Sequence, residues 1–533
     1  MNSEYKYWCE YLKCDDFKLF LEELSQNLKN KSVILYANGV YFDALSDLYD
    51  LNKYFNIVGA SDLKYENNDI KEYKNFKVIK PSKISDCGID CILITSPNST
   101  NIQKSLIRND IVNQNAEFIN LFFEKDDIDL IKNNYKKVLA RIKTKEKIRV
   151  LFLVEENSKW SYELLYKELK KNSLFEILPV LLFPIVTKNR IEYTQKENIT
   201  FFKNQGIDAV DYYDYENKEN KNIRDLAPDI VFYQQPWYLM NINHPSIVSQ
   251  YALTCMAPYG YTTLSPKEWG SENVKKVYRD LWCFFSESEY HNSFYKKVCG
   301  MQDNLLAVGS LKFDNYKFPV KQEFENLWKG EDIKARIIYA PHHSINNNGL
   351  RMSTFTRDYK FFLDFAKKNP QYSFVLKPHP ALKSMCLFEK FMTENEYDDY
   401  ISEWNNLKNA TVYDKGDYFD IFKTSDCLIT DCSSFLAEYF PTKKPIVFLN
   451  RPDRAPFDEF GEKIRKGFYE LNDLNSFEKF VKNLLILQDD SLLKTREDIL
   501  KKVFYMPNSN SYEIILQYIC KCATLLRENW LVI

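Results

Sequence analysis

Apolar positions in this chain gather in short unbroken runs, each closed by a polar turn and followed by a segment of helix length. Such runs read as strands buried on both faces, and their alternation with helical segments reads as βα units of parallel sheets. Ser32-Val33-Ile34-Leu35-Tyr36, ending in Ala37-Asn38-Gly39, opens the series. Runs at 55–59 and 91–95 repeat it, the second closed by Ser96-Pro97-Asn98. Residues 1–140 are therefore expected to form a small Rossmann-like α/β domain. Ala37-Asn38-Gly39 is not the G-x-G-x-x-G turn that cradles a dinucleotide pyrophosphate, so the case for a dinucleotide there is weak.

A charged helical stretch at 135–147 leads into a stronger run, Ile148–Val154, closed by Glu155-Glu156-Asn157-Ser158-Lys159-Trp160-Ser161. Further runs at 175–183 and 229–233 extend a second domain over 146–320. The polar stretch 312–331 reads as a connection between domains. From 337 the alternation restarts, with runs at 337–340, 373–376, 427–430 and 446–449, and a third domain is expected over 331–533. Two Rossmann-like domains in tandem place polar loops at the carboxyl ends of their strands, where a donor and an acceptor would meet.

Length and composition fit this picture and narrow the partners. At 533 residues, 45% hydrophobic and 27% charged, the chain has the balance of a folded protein of several domains. Lysine and arginine number 72 against 74 acidic residues, a formal charge of -2, so no global basic field recruits nucleic acid. The 12 cysteines are scattered, with a single C-x-C at Cys520 and Cys522, and read as reduced thiols. No apolar stretch approaches the roughly 20 residues that span a bilayer, and residues 1–14 are polar and aromatic, unlike a signal peptide. The expectation is a cytoplasmic protein whose membrane contact is peripheral.

Three of the five histidines fall in two short loops, each after a run of the third domain. Pro341-His342-His343-Ser344 follows 337–340, and Lys377-Pro378-His379-Pro380 follows 373–376. Both loops are expected at the carboxyl edge of one sheet, where imidazole can take a proton from a hydroxyl or hold a phosphate oxygen. Neither H-E-x-x-H spacing nor an acidic cluster accompanies them, so no metal site is expected. Leu428-Ile429-Thr430-Asp431-Cys432-Ser433-Ser434 runs from a buried strand into a helix, and its free N–H groups and hydroxyls suit a pyrophosphate.

Tyr339-Ala340-Pro341-His342-His343, Lys377-Pro378-His379-Pro380 and Thr430-Asp431-Cys432-Ser433-Ser434 resemble, in order and spacing, the signatures of CDP-glycerol glycerophosphotransferases. Cys432 stands where that family usually has Tyr, and Lys443 where Gly is common. Upstream, residues 155–161, Gln234-Gln235-Pro236-Trp237 and residues 254–261 are similar to the family's amino-terminal half, so the resemblance covers about 146–530. It implies an α/β fold of GT-B type, a pair of Rossmann-like domains, with the small amino-terminal domain as an addition.

The implied reaction moves glycerol phosphate or a related polyol phosphate from a CDP-polyol to a hydroxyl of a growing surface glycopolymer, of capsule or teichoic-acid type, or a lipid-linked acceptor, releasing CMP. By position the resemblance gives catalysis to His342, His343 and His379, and the donor nucleotide and its phosphates to Lys377, Asp431, Ser433, Ser434 and Glu438. It sets the acceptor against Asn157, Ser158, Gln234 and Trp237. No cofactor is implied, because the CDP-polyol is a substrate; a divalent metal is left open but unsupported by any residue pattern. Two rival readings remain open at this point: a GT-B glycosyltransferase using a nucleotide sugar, and a non-catalytic scaffold of a polymer-assembly complex.

Overall fold

The computed structural model describes the chain except for residues 1–2, 14, 97–98, 110, 113–116, 123–126, 188–189, 193–194, 238, 240, 266–271, 346–349, 415 and 525–533. The Pro97-Asn98 end of the turn after 91–95 thus lies outside the described residues. Two compact units divide the chain. One comprises residues 1–155, 174–255 and 271–282, and the other residues 156–173, 256–270 and 283–533.

In the first unit the opening run forms a parallel sheet in the order Asn56–Ser61, Ser32–Tyr36, Cys91–Ile94, Glu117–Asn120. The unbroken apolar run is explained by its two covered faces. Val33 and Leu35 enter one core with Leu93, while Ile34 and Tyr36 enter another with Ile92 and Ile94. A second set of strands follows the order Ala209–Asp211, Val180–Leu182, Ile148–Val154, Ile230–Tyr233. The run at 175–183 is two strands, Phe175–Ile177 and Val180–Leu182, each paired with Ile148–Val154. Pro179 lies between them and supplies no N–H to a ladder.

The buried carboxylate of Asp229 ties this unit together. It accepts from Arg141 at 3.1 Å, from Lys145 at 2.7 Å and from the Arg149 N–H at 3.0 Å.

The second unit carries a six-stranded parallel sheet in the order Ala410–Val412, Tyr372–Leu376, Ala335–Ala340, Cys427–Thr430, Ile446–Leu449, Tyr469–Leu471. Its faces alternate along each strand. Ile338, Val375, Leu428 and Phe448 pack into one core, and Ile337, Phe374, Ile429 and Val447 into the other. The first strand of this sheet, Ala335–Ala340, sits between the second and the fourth, so the chain reverses direction across the sheet there. At such a switch point the loops leaving the two central strands part and open a crevice. Those loops begin at Pro341 and Asp431.

The stretch 312–331 differs from a free connection. Residues Leu311–Lys317 form a turn of 3₁₀ helix whose Phe313 is buried in the second unit's core, joined there by Phe324. Asp314 accepts the N–H groups of Ser511 and Tyr512 at 2.8 and 3.2 Å. The aromatic anchors are spaced among lysines and acids, so the stretch looks solvated in sequence while its apolar side is buried.

Candidate functional site

Each histidine loop is fixed by the strand that precedes it. Lys377 donates its N–H to the Tyr339 carbonyl at 2.8 Å, and His379 donates its own to the Pro341 carbonyl at 3.1 Å, so the two loops are laced side by side. The three rings gather as a result. Their centroids lie 4.2 Å apart for His342 and His343, 4.1 Å for His343 and His379, and 5.1 Å for His342 and His379.

Burial holds the imidazoles uncharged, because a desolvated ring disfavours its cation. His342 and His379 are pushed well below the usual histidine range by burial and by their imidazole neighbours, and His379 also by Lys377 and Lys159. His343 is lowered to about 4 by burial and by the nearby Lys159 ammonium, with Glu156 opposing.

Asp431 organises the crevice from beneath. Its carboxylate is fully buried and accepts the His342 N–H at 2.5 Å and the Thr354 N–H at 2.6 Å, with the Thr354 hydroxyl at 3.2 Å. Burial raises its pKa from 3.8 to about 6, against the pull of these donors. Next to it, Thr430 donates its hydroxyl to the Ala340 carbonyl at 2.6 Å and accepts the Cys432 N–H at 2.9 Å. That pair turns the chain into the short helix Ser433–Glu438, whose first residues, Ser433 and Ser434, are only half-buried. N–H groups in a first helical turn have no partner within the helix and face outward to an anion.

Two lysines, Lys377 and Lys312, lie close enough to the Glu438 carboxylate and to each other to interact. Lys377 is 4% exposed, with its Nζ 5.1 Å from the centre of the Tyr418 ring and 5.4 Å from that of Tyr413. Burial lowers its pKa to about 8. Lys312 pairs with the buried Glu438 at 3.0 Å and donates to the Tyr418 hydroxyl at 3.0 Å, and that hydroxyl donates to Glu438. Glu438 is therefore held by a lysine and a tyrosine, which stiffens the back wall of the site.

The structure brings His342, His343, His379, Lys377, Asp431, Ser433, Ser434 and Glu438 into one unit, at one edge of one sheet. Asn157 and Ser158 belong to the same unit, in the turn Asn157–Lys159. Gln234 and Trp237 belong to the other, where Gln234 accepts the Glu155 N–H at 3.0 Å and is itself buried. Sequence reasoning assigned no role to Lys159, Lys312, Thr354 or Tyr418. Lys312 was masked by the polar stretch around it. The signal that could have found it is Phe313 and Tyr316, spaced to bury one side of that stretch.

Residues 248–510 match the CDP-glycerol:poly(glycerophosphate) glycerophosphotransferase family. Over that region, a little under half of its length, the chain is similar to this family. It is also 28% identical over 224 residues to the teichoic acid ribitol-phosphate polymerase TarK of Staphylococcus aureus, an overlap of 39% of this chain and 37% of the relative. To TarL of the same organism, likewise a teichoic acid ribitol-phosphate polymerase, it is 24% identical over 219 residues, 39% of this chain and 34% of that one.

The match thus spans little more than a third of the length of these curated relatives. Among solved structures, a single-residue variant of the wall teichoic acid polymerase TagF overlaps 76% of this chain and 100% of its own at 14% identity and a TM-score of 0.46. A UDP-N-acetylglucosamine 2-epimerase from Listeria monocytogenes overlaps 72% of this chain and 100% of its own at 16% identity and the same TM-score. The matched stretch contains the three histidines of the crevice together with Lys312, Lys377, Asp431 and the two serines of the helix start.

Proposed function

We propose that this protein is a transferase that moves glycerol phosphate, or a related polyol phosphate, from a CDP-activated donor to a hydroxyl of a cell-surface polymer, releasing CMP. The observation that carries the reading is the convergence, at the switch point of the sheet in the matched stretch, of three uncharged imidazoles, two lysines and a helix start. That equipment suits phosphoryl transfer, where little covalent work falls to the protein and most of the rate comes from positioning and charge stabilisation.

An acceptor hydroxyl attacks the distal phosphorus of the CDP-polyol, and the bond from that phosphorus to the bridging oxygen breaks. Negative charge gathers on that oxygen as CMP departs, where Lys377, imidazole N–H groups and the N–H groups of Ser433 and Ser434 absorb it. Thr354 and Asp431 keep the His342 backbone in place while this happens.

The names of TarK and TarL favour ribitol phosphate as one form of the transferred group, and the family's description favours glycerol phosphate. The acceptor is a growing glycopolymer or a lipid-linked acceptor, bound in part by Asn157 and Ser158. A cytoplasmic enzyme with peripheral membrane contact fits such an acceptor. Among the described residues, no helix is long and apolar enough to cross a membrane.

The test is nucleotide release from a donor panel. CDP-glycerol or CDP-ribitol should yield CMP and UDP-sugars should yield nothing. Release of UDP from a UDP-sugar, with CDP-polyols inert, would replace this reading with sugar transfer.

A further inference from the structure

The three imidazoles are held by different hydrogen bonds. Nδ1 of His342 accepts the N–H of Ser344 at 3.2 Å and lies 2.8 Å from the Ser344 hydroxyl, which itself accepts the Met352 N–H at 2.9 Å. Nδ1 of His379 accepts the N–H of Ala381 at 3.1 Å. A backbone N–H can only donate, so both Nδ1 atoms must be bare and each neutral ring carries its proton on Nε2. His343 is different: its Nδ1 is buried and has no hydrogen-bond partner in the described structure.

A ring fixed in this way has no lone pair to offer the crevice. Its Nδ1 lone pair is spent on the backbone and its Nε2 already bears hydrogen. Protonating it would turn an N–H against an N–H, leaving two donors face to face. We propose that His342 and His379 are positioned as permanent Nε2–H donors to phosphate oxygens, and that His343 alone accepts the proton of the attacking hydroxyl. This division rests on the transferase reading above and sharpens it.

In the step itself, the proton of the acceptor O–H passes to His343 as the acceptor oxygen bonds to the distal phosphorus. The electron pair of the breaking phosphorus–oxygen bond stays with CMP. His342 and His379 donate hydrogen bonds throughout and transfer no proton. His343 then gives its proton to water.

The same geometry argues against reading the cluster as a cation site. The rings offer nitrogens within 4.8 Å of one another, close enough to share a metal ion. A metal on Nε2 of His342 or His379 requires the proton to move to Nδ1, against the N–H groups of Ser344 and Ala381.

Nitrogen-15 NMR of the full chain labelled at histidine reads the tautomers directly, with each signal assigned by single His→Gln variants. Protonated Nε2 and bare Nδ1 are expected for His342 and His379, whether or not any donor is turned over. A proton on Nδ1 of either ring, or stoichiometric zinc binding in calorimetry, overturns the assignment. Function separates the rings as well. In His343→Ala, kcat should fall by roughly a hundredfold or more while affinity for inorganic pyrophosphate stays within about threefold. In His342→Ala and His379→Ala, pyrophosphate affinity should fall by about tenfold each. Loss of pyrophosphate affinity in His343→Ala with turnover retained would reverse the roles. If no CDP-polyol is turned over by the native chain, the transferase reading fails, while the tautomer and pyrophosphate results still judge the division of roles.

Discussion

At Ser32–Tyr36 the chain leaves a central parallel strand through Ala37-Asn38-Gly39, and at Ala335–Ala340 it leaves another through Pro341-His342-His343. Both exits stand where strand order reverses. Each has an acid beneath the turn: Asp62 accepts the Asn38 N–H at 2.8 Å, as Asp431 accepts that of His342. Each also has a lysine, since Lys64 donates to the Asn38 carbonyl and lies 4.9 Å from the centre of the Tyr73 ring.

The difference lies in what stands around these parts. Asp62 and Lys64 share one loop and are both taken up by the Asn38 backbone, with the Lys64 N–H also on Asp62 at 3.0 Å, and the described residues of that edge include no histidine. At the second edge three imidazoles, two lysines and a helix start converge, and the ammonium of Lys377 is buried deeply enough to shift its pKa. A parallel sheet supplies the crevice, and the side chains that line it supply the chemistry.

The largest expected effect breaks the comparison at its lysines. Lys377→Met should lower transfer by about 10²- to 10³-fold, as loss of a preorganised charge does, whereas Lys64→Met should leave turnover within about twofold. Because the folded pKa of Lys377 is lowered to about 8, donor affinity should fall as pH rises through that value. For stability the sign is opposite. Above pH 8 the native chain sheds this proton before the unfolded chain does, so the wild-type melting temperature should rise relative to Lys377→Met between about pH 8 and 10.

The acids come next. Asp431→Ala strands two buried N–H groups and should cost about 2–4 kcal/mol in denaturant unfolding, against about 1 kcal/mol for Asp62→Ala, whose site is half open to water. The folded pKa of Asp431 is raised, so its stabilising contribution is full below about pH 4 and lost as pH climbs through 6. The wild-type advantage over Asp431→Ala should shrink across that window.

A smaller change sharpens the account of the helix start. The double variant Ser433→Ala, Ser434→Ala should bind CDP about tenfold more weakly by calorimetry with its melt unchanged, through loss of one or two hydrogen bonds to a charged group. The smallest effect is expected at the first edge. A Cβ at Gly39 meets no atom within 4 Å, so Gly39→Val should fold normally and leave both CDP affinity and turnover as they were. A loss of turnover there would give the first edge a part in the reaction.

How much of this was legible in the sequence follows from burial. Ile148–Val154, Cys427–Thr430 and Ile446–Leu449 are continuous apolar strands covered on both faces, and the sequence runs mark their limits. The edge strands Ala410–Val412 and Tyr469–Leu471 escaped, because only one flank of an edge strand is paired and the residues are mixed in polarity.

The histidine loops were legible as a cluster. Their division was not, since it depends on whether a backbone N–H two residues on points at Nδ1. His244 makes the same turn with Ser246 in the other unit, so the local hydrogen bond alone does not mark a site. The neighbours do.

The most direct measurement is a crystal structure of the full chain with CDP-glycerol or CDP-ribitol bound. The account predicts the pyrophosphate in the second unit, its oxygens within about 2.7–3.2 Å of Nε2 of His342 and His379 and of the N–H groups of Ser433 and Ser434. A nucleotide seated at the edge beyond Ala37-Asn38-Gly39, with this crevice holding only water, would contradict it.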